Sequence, residues 1–250
     1  MCGRYALYAP GRRIREHFRL EDELDLGPRY NIAPGTHVLV VREDPDGRRR
    51  AGLCRWGLIP RWAKDPSLGS TLINARAETV DAKPAFRAAL RRSRCILPAS
   101  GFYEWKIVVE SGRTLKQPFF IRPHEDDELF GFAGLAECWV SPEGEMVDSC
   151  CILTTEANAL VKPIHDRMPV ILAPGDYDAW LDSKNANLAQ LMALLRPAQE
   201  EGMLAYPVSR AVNSTRTDSP TLIELARSNP RADGGGPARS PTGPGTVRAQ

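Results

Sequence analysis

Cysteine occupies position 2, directly behind the initiator methionine, in Met1-Cys2-Gly3-Arg4-Tyr5. A methionine followed by a small residue is routinely trimmed. The mature chain would then begin with an α-amine and a thiol on adjacent carbons, a pair suited to trapping aldehydes. With a pKa of about 7.7–8.0, against roughly 10.4 for lysine, such an amine is about one-third unprotonated near pH 7.5 and can condense to an imine. The thiol, with a reference pKa of about 8.5, can add to that imine and close a five-membered thiazolidine; effective molarities for such intramolecular steps reach on the order of 10⁵ M. On position alone, Cys2 reads equally well as a small residue buried beside an N-terminal strand.

Three further segments carry groups of complementary chemistry. Gly101-Phe102-Tyr103-Glu104-Trp105 sets a carboxylate among aromatics in a β-type stretch. In a strand, Tyr103 and Trp105 share one face, while Phe102, Glu104 and Lys106 share the other. Loss of hydration there raises a carboxylate pKa and suits it to proton transfer, although a half-buried strand more often turns such a glutamate to solvent. In Ile164-His165-Asp166-Arg167-Met168-Pro169, a loop histidine stands beside an anion-binding guanidinium, behind a predicted helix over Thr155 to Val161 halted by Pro163. Of the four histidines, His17, His37 and His124 have less suggestive surroundings: a helix, a strand start and an acidic loop. Leu72-Ile73-Asn74-Ala75-Arg76-Ala77-Glu78 pairs an amide with a guanidinium suited to phosphate; an Arg76–Glu78 ion pair is the competing reading.

Basic and aromatic residues interleave in Arg55-Trp56-Gly57-Leu58-Ile59-Pro60-Arg61-Trp62, the pattern of surfaces that stack bases and hold phosphates of single strands. Trp56 reads as core, and Trp62, in a loop, as the base contact. Tyr30-Asn31-Ile32-Ala33-Pro34-Gly35 adds a turn whose proline could wedge between bases.

The elements that must position these groups are mostly short strands, over Val38–Val41, Ala51–Trp56, Phe102–Val109, Pro118–Arg122, Leu129–Leu135 and Met146–Leu153. Turns at 110–113 and 141–144 imply antiparallel meanders. Helical spacing links Ile14 with Phe18, Phe86 with Leu90, Tyr177 with Trp180 and Leu181, and Leu188 with Leu191, Leu194 and Leu195. No strand–helix alternation or phosphate-binding glycine loop occurs, which argues against a doubly wound nucleotide-binding fold. The expectation is an α+β domain: a curved antiparallel β-sheet or open barrel core with flanking helices.

With 250 residues, 42% of them hydrophobic, the chain can bury one full core. Its six cysteines form no Cys-x-x-Cys and no disulfide framework, so reduced thiols and no metal site are expected. The absence of a signal core or an apolar run of about 18–20 residues predicts a soluble cytoplasmic protein without a membrane partner. Residues 228–250 are rich in Gly and Pro and predict a disordered tail behind a domain spanning 1–227. The net charge is +2, and the tail's Arg231, Arg239 and Arg248 against Asp233 account for all of it. Anion binding by the domain must therefore come from local clustering.

Taken in order, these segments, with Pro207-Val208-Ser209-Arg210-Ala211-Val212-Asn213, resemble the SOS response-associated peptidase (SRAP) family, the abasic-site processing proteins. The resemblance runs from residue 1 to about 226. It implies that the family's N-terminal nucleophile falls on Cys2, its active-site asparagine on Asn74, its glutamate on Glu104 and its histidine on His165. It also implies DNA-backbone contacts at Arg4, Arg76 and Arg167, and stacking or wedging at Trp62 and Pro34. Two departures stand out: the stretch from Trp62 to Asn74 is longer than in compact bacterial members, and the tail has no family counterpart.

The expected function is that of a monomeric sensor of abasic sites in single-stranded DNA, nucleoid-associated when bound, that links itself covalently to the lesion through Cys2 without cofactor or metal. Removal of Met1 by autoproteolysis and an abasic-site lyase branch belong to the same expectation. The alternative is a thiol peptidase or amidase with Cys2 as nucleophile and its own amine as base. A third reading, a non-catalytic single-strand-binding module, needs only the Arg and Trp surfaces.

Overall fold

The computed structural model describes residues 2–110, 112–125 and 128–226. The expected tail, 228–250, lies outside them. In chain order the strands are β1 (Tyr5–Leu7), β2 (Arg29–Ile32), β3 (His37–Glu43), β4 (Arg49–Trp56), β5 (Asn74–Arg76), β6 (Arg94–Ala99), β7 (Gly101–Glu110), β8 (Arg113–Pro123), β9 (Phe130–Val140), β10 (Met146–Glu156), β11 (Arg167–Pro169), β12 (Ile171–Leu172) and β13 (Met203–Pro207). The helices are α1 (Gly11–Phe18), α2 (Arg87–Arg92), α3 (Tyr177–Leu181) and α4 (Leu188–Ala193). Each helix is short and turns its apolar residues inward: Ile14 and Phe18, Leu90, Trp180 and Leu181, and Leu191 are all buried.

The expected α+β class holds, and the barrel is closed. Pairing runs β10–β4–β3–β6–β9, and β9 returns to β10 along Met146↔Val140 to Ile152↔Gly134. A second sheet, ordered β13–β8–β7–β1–β2, packs against this barrel. The chain passes from barrel to sheet between Ala99 and Gly101, where only glycine fits: a Cβ on Gly101 would stand 2.4 Å from the Phe120 ring and 2.7 Å from the Ile121 carbonyl oxygen. Between the layers, Phe132 meets Tyr5 and Phe102 edge-on at 5.9 and 6.0 Å. The outer face of the second sheet buries Tyr103 and Phe120 under Val208, Val212 and Leu222.

Two features differ from an all-antiparallel meander. β10 runs parallel to both β4 (Cys150↔Trp56) and β5 (Ile152↔Asn74), along the same edge. Residues 57–73 leave this edge after Trp56 and return to it at Asn74, two β10 residues further on, so β5 continues the line of β4. The base of this excursion is tight: Gly57, at φ +138°, would carry a Cβ 2.5 Å from the Gly69 carbonyl oxygen, and Trp56 Nε1 donates to Ile73 O at 2.9 Å.

The predicted helix over Thr155–Val161 does not form. β10 continues to Glu156, where Thr155 pairs with Met168, and turns follow. Pairing with β11 holds Thr155 and Glu156 extended, and Asn158 anchors the turns behind them: its Oδ1 accepts the Val161 amide at 3.0 Å and its Nδ2 donates to Ala198 O at 2.9 Å.

Candidate active site

Strand pairing carries the N-terminus to Glu104. Tyr5 stands opposite Phe102, and the Tyr103 amide donates to Arg4 O at 3.0 Å, so the residues before Arg4 run along β7 where Glu104 and Trp105 lie. On another side, β10 aligns β5 beside it and β11 across it, bringing Asn74 and the 165–167 segment to the same place. The amide of Asn74 donates through Nδ2 to Cys2 O at 2.8 Å. Its Oδ1 is buried without a hydrogen-bond partner. The four residues picked out in the sequence as catalytic therefore come from four separate segments, two of them strands, and converge.

Cys2 is fully buried. Burial, reinforced by the nearby Glu104 charge, pushes its thiol far above the ordinary range. Glu104 is only 2% exposed rather than solvent-facing, because Phe102 on the same strand face enters the main core. Burial pushes its carboxyl up to about 7. His165 Nε2 lies 4.0 Å from Glu104 Oε2, and burial holds the imidazole below its ordinary value. At neutral pH the ring is thus largely neutral while the carboxyl is poised near half-protonation.

His165 Nδ1 has two neighbours at 2.9 Å: the Arg167 backbone amide and Asp166 Oδ1. A backbone N–H can only donate, so Nδ1 is the acceptor in the neutral ring and the proton sits on Nε2, towards Glu104. Asp166 becomes favourable only when the ring is protonated.

A cavity of about 480 Å³ opens here, lined by Arg4, Glu104, Trp105, Ile107, Lys116, His165 and Asn213. Lys116 gave no sequence signal. Asn213 did, as the last residue of the Pro207–Asn213 motif; its Oδ1 accepts Trp105 Nε1 at 2.8 Å.

The arginines differ in what holds them. Arg4 Nη1 donates to Asn31 Oδ1 at 2.6 Å and to Val212 O at 2.8 Å. Arg167 grips Glu78 through both terminal nitrogens, at 2.7 and 3.0 Å. The alternative Arg76–Glu78 pair is therefore not the one formed, and exposed Arg76 is left facing solvent. Trp56 is core, as expected, and Trp62 is 61% exposed. Trp62 lines a separate hollow with Lys64, Ser67, Leu68 and Ser70. Pro34 is half-buried in the turn between β2 and β3, whose Gly35 amide donates to Trp56 O at 2.8 Å. Neither residue touches the cavity at Glu104.

Among the described residues, no group of three or more His, Cys, Asp or Glu side chains is arranged to hold a metal ion, and no helix is long and apolar enough to cross a membrane.

The family model for SOS response associated peptidase (SRAP) matches residues 1–215. The chain belongs to the SRAP family. Among similar proteins, Abasic site processing protein YoqW of Bacillus subtilis (strain 168) is 45% identical over 227 residues, covering 90% of this chain and 99% of that protein. Abasic site processing protein HMCES of Gallus gallus is 34% identical over 266 residues, covering 89% and 77%. A solved structure of a protein from Bacteroides thetaiotaomicron superposes with a TM-score of 0.78 at 25% identity, covering 90% of this chain and 100% of its own. A phage-related protein from Bordetella bronchiseptica gives 0.66 at 29% identity, covering 84% and 95%.

Proposed function

We propose that this SRAP protein processes abasic sites in single-stranded DNA by joining itself to the lesion through Cys2 once Met1 is removed. The observation that carries the reading is the convergence of Cys2, Asn74, Glu104 and His165 from four separate segments: Asn74 holds the Cys2 carbonyl, Glu104 faces His165, and Glu104 and His165 line a cavity. An abasic deoxyribose is mostly a closed hemiacetal. His165, with Nε2–H towards the cavity, donates the proton that helps open it to the C1′ aldehyde. The Cys2 α-amine attacks that carbon; the carbinolamine loses water to an imine, with Glu104 taking and returning the protons. The Cys2 sulfur then bonds to the imine carbon and its proton passes to the nitrogen, giving a thiazolidine with no net redox change. Asn74 holds the Cys2 carbonyl, fixing the amine's approach. Deprotonation next to the imine opens a β-elimination branch, the source of lyase activity.

Arg4, Arg76 and Arg167 line the path of the sugar–phosphate backbone, and Arg76 is the one whose guanidinium faces solvent. Trp62 and Pro34 meet bases beyond the lesion. The unit that acts is 1–227, a monomer working in the cytoplasm and on the nucleoid without a cofactor, and the tail is dispensable.

The thiol-peptidase reading uses the same residues, and peptide turnover without an abasic strand would favour it. Intact mass spectrometry after incubation with an abasic single strand tests the proposal. The expected product is a DNA adduct on Cys2 of Met1-free protein; unmodified protein, or peptide turnover instead, rejects it.

A further inference from the structure

We infer that Lys116 and Asn213 complete, with Arg4, a subsite for one phosphodiester of the DNA strand next to the reacting sugar, and that Trp105 turns the donor end of the Asn213 amide towards it. The inference rests on the abasic-site reading for what fills the rest of the cavity and on geometry for the subsite itself.

One turn of the C-terminal segment builds most of it. Arg210–Asn213 form a short 3₁₀ turn behind Ser209, whose hydroxyl accepts the Ala211 amide. Val212 is fully buried with Tyr103 and Phe120, which seats the turn on the outer face of the second sheet. From that seat it reaches two residues of the cavity. The Val212 carbonyl accepts Arg4 Nη1 at 2.8 Å, and the next residue, Asn213, accepts Trp105 Nε1 through its Oδ1 at 2.8 Å. An indole N–H can only donate, so the amide oxygen is committed to Trp105 and the NH₂ group, with two donors, points away from the ring. Lys116 stands opposite Ile107 across the β7–β8 pair, on the strand face that also carries Trp105. Arg4, Lys116 and Asn213 all line the cavity that contains Glu104 and His165.

These three groups are donors, two of them cationic, with no carboxylate to balance them. Arg4 is held by uncharged oxygens, Asn31 Oδ1 at 2.6 Å and Val212 O at 2.8 Å. Among the described residues, neither Arg4 nor Lys116 forms an ion pair with a carboxylate. Arg210, in the same turn, shows the contrast: its guanidinium is taken by Glu110 at 2.6 Å. A half-buried guanidinium, an ammonium and an oriented amide NH₂ on one cavity suit an anion that presents several oxygens. A phosphodiester does so, and it is joined to the same deoxyribose whose C1′ must meet Glu104 and His165. A single sugar phosphate can therefore engage both parts of the cavity.

The test measures binding to a single strand carrying a tetrahydrofuran analogue of the abasic sugar, which has no aldehyde. Asn213→Asp has the same shape and still accepts Trp105 Nε1, but sets a carboxylate oxygen where the donor was. It should weaken binding about tenfold or more, and Lys116→Gln about threefold. Affinity within twofold of wild type for Asn213→Asp overturns the subsite. Two further strands carry a neutral methylphosphonate in place of the phosphate on the 3′ or the 5′ side of the analogue. On one of them the penalties of both substitutions should shrink to less than twofold, because the charge they act on is gone. Penalties that persist undiminished on both strands would mean that the substitutions act through the fold or on a more distant phosphate, and would overturn the inference. Should Asn213→Asp not fold, Lys116→Gln, at an exposed position, decides on the same strands. No arm needs a covalent adduct, so failure of wild type to form one on a natural abasic strand would reject the abasic-site reading and leave this test standing. Failure of wild type to bind the analogue strand at all would overturn the subsite outright.

Discussion

Glu104 Oε2 and His165 Nε2 face each other across 4.0 Å, and burial inverts the usual order of their acidities: the carboxyl is pushed up to about 7 and the imidazole is held below its ordinary value. A carboxyl that keeps its proton near neutral pH beside a neutral imidazole gives the site a group able to donate and a group able to accept, which is what paired acid and base steps require.

The two roles can be separated by substrate. If His165 serves ring opening, His165→Ala should slow adduct formation on a natural abasic site about 10²-fold or more while sparing a simple free aldehyde, which has no ring to open. Glu104→Gln should slow both, because it manages the amine. Timed gels and mass spectrometry read the difference; equal slowing of both substrates by His165→Ala would reject the division.

Cys2→Ala retains an α-amine but has no sulfur to close the ring. It should give at most a reversible imine, lost on denaturation unless a reductant is present. A denaturation-resistant adduct at wild-type yield would remove the thiazolidine from the scheme, and Cys2→Ser should fall between the two.

The raised Glu104 acidity has a sign for stability. Its folded pKa of about 7 exceeds the ordinary 4.5, so the folded state holds more protons between those values and stability falls as pH rises through that window. His165 is lowered, so its contribution is full above about pH 6.5 and is lost as pH falls below it. Glu104→Gln should therefore gain on wild type between about pH 4.5 and 7, by on the order of 1–3 kcal/mol. Denaturant melts at about pH 5 and pH 8, either side of most of that window, check it; a constant offset would show that Glu104 does not titrate abnormally.

Phosphate binding should divide unevenly among the arginines. Arg76→Ala is expected to weaken binding to intact and abasic strands alike and to lower the salt slope by about 0.7. Arg167→Ala should change the slope less, because its guanidinium is already taken by Glu78. Titrations at several salt concentrations decide, and an equal loss of slope would contradict the ordering.

Asn31 ties the C-terminal segment to the second sheet: its Nδ2 donates to the carbonyls of Val212, Ser214 and Thr217, at 3.3, 3.0 and 2.7 Å, while its Oδ1 receives Arg4. Asn31→Ala strands these buried partners and should cost about 2–3 kcal/mol. An unchanged melting temperature would show that water replaces the amide without loss.

What the sequence determined by itself is the material of local physics. The helices were legible because Ile14 and Phe18, or Tyr177 with Trp180 and Leu181, repeat at a helical period, and the strands of the barrel because their apolar runs end in turn residues. Cys2 was legible as well, since its chemistry depends only on its place in the chain. The tertiary structure decided what depends on distant partners. A strand period cannot say which face becomes core, so Glu104 could be seen to share a face with Phe102 without being known to be buried. Nor could spacing tell that Glu78 would pass over its near neighbour Arg76 for Arg167, 89 residues away, because β10 brings β5 and β11 together. The same β10 pairing with Met168 turned Thr155 from predicted helix to strand. Sequence thus set the reacting groups, and long-range pairing, whose partners are set by the whole fold, set their protonation and aim.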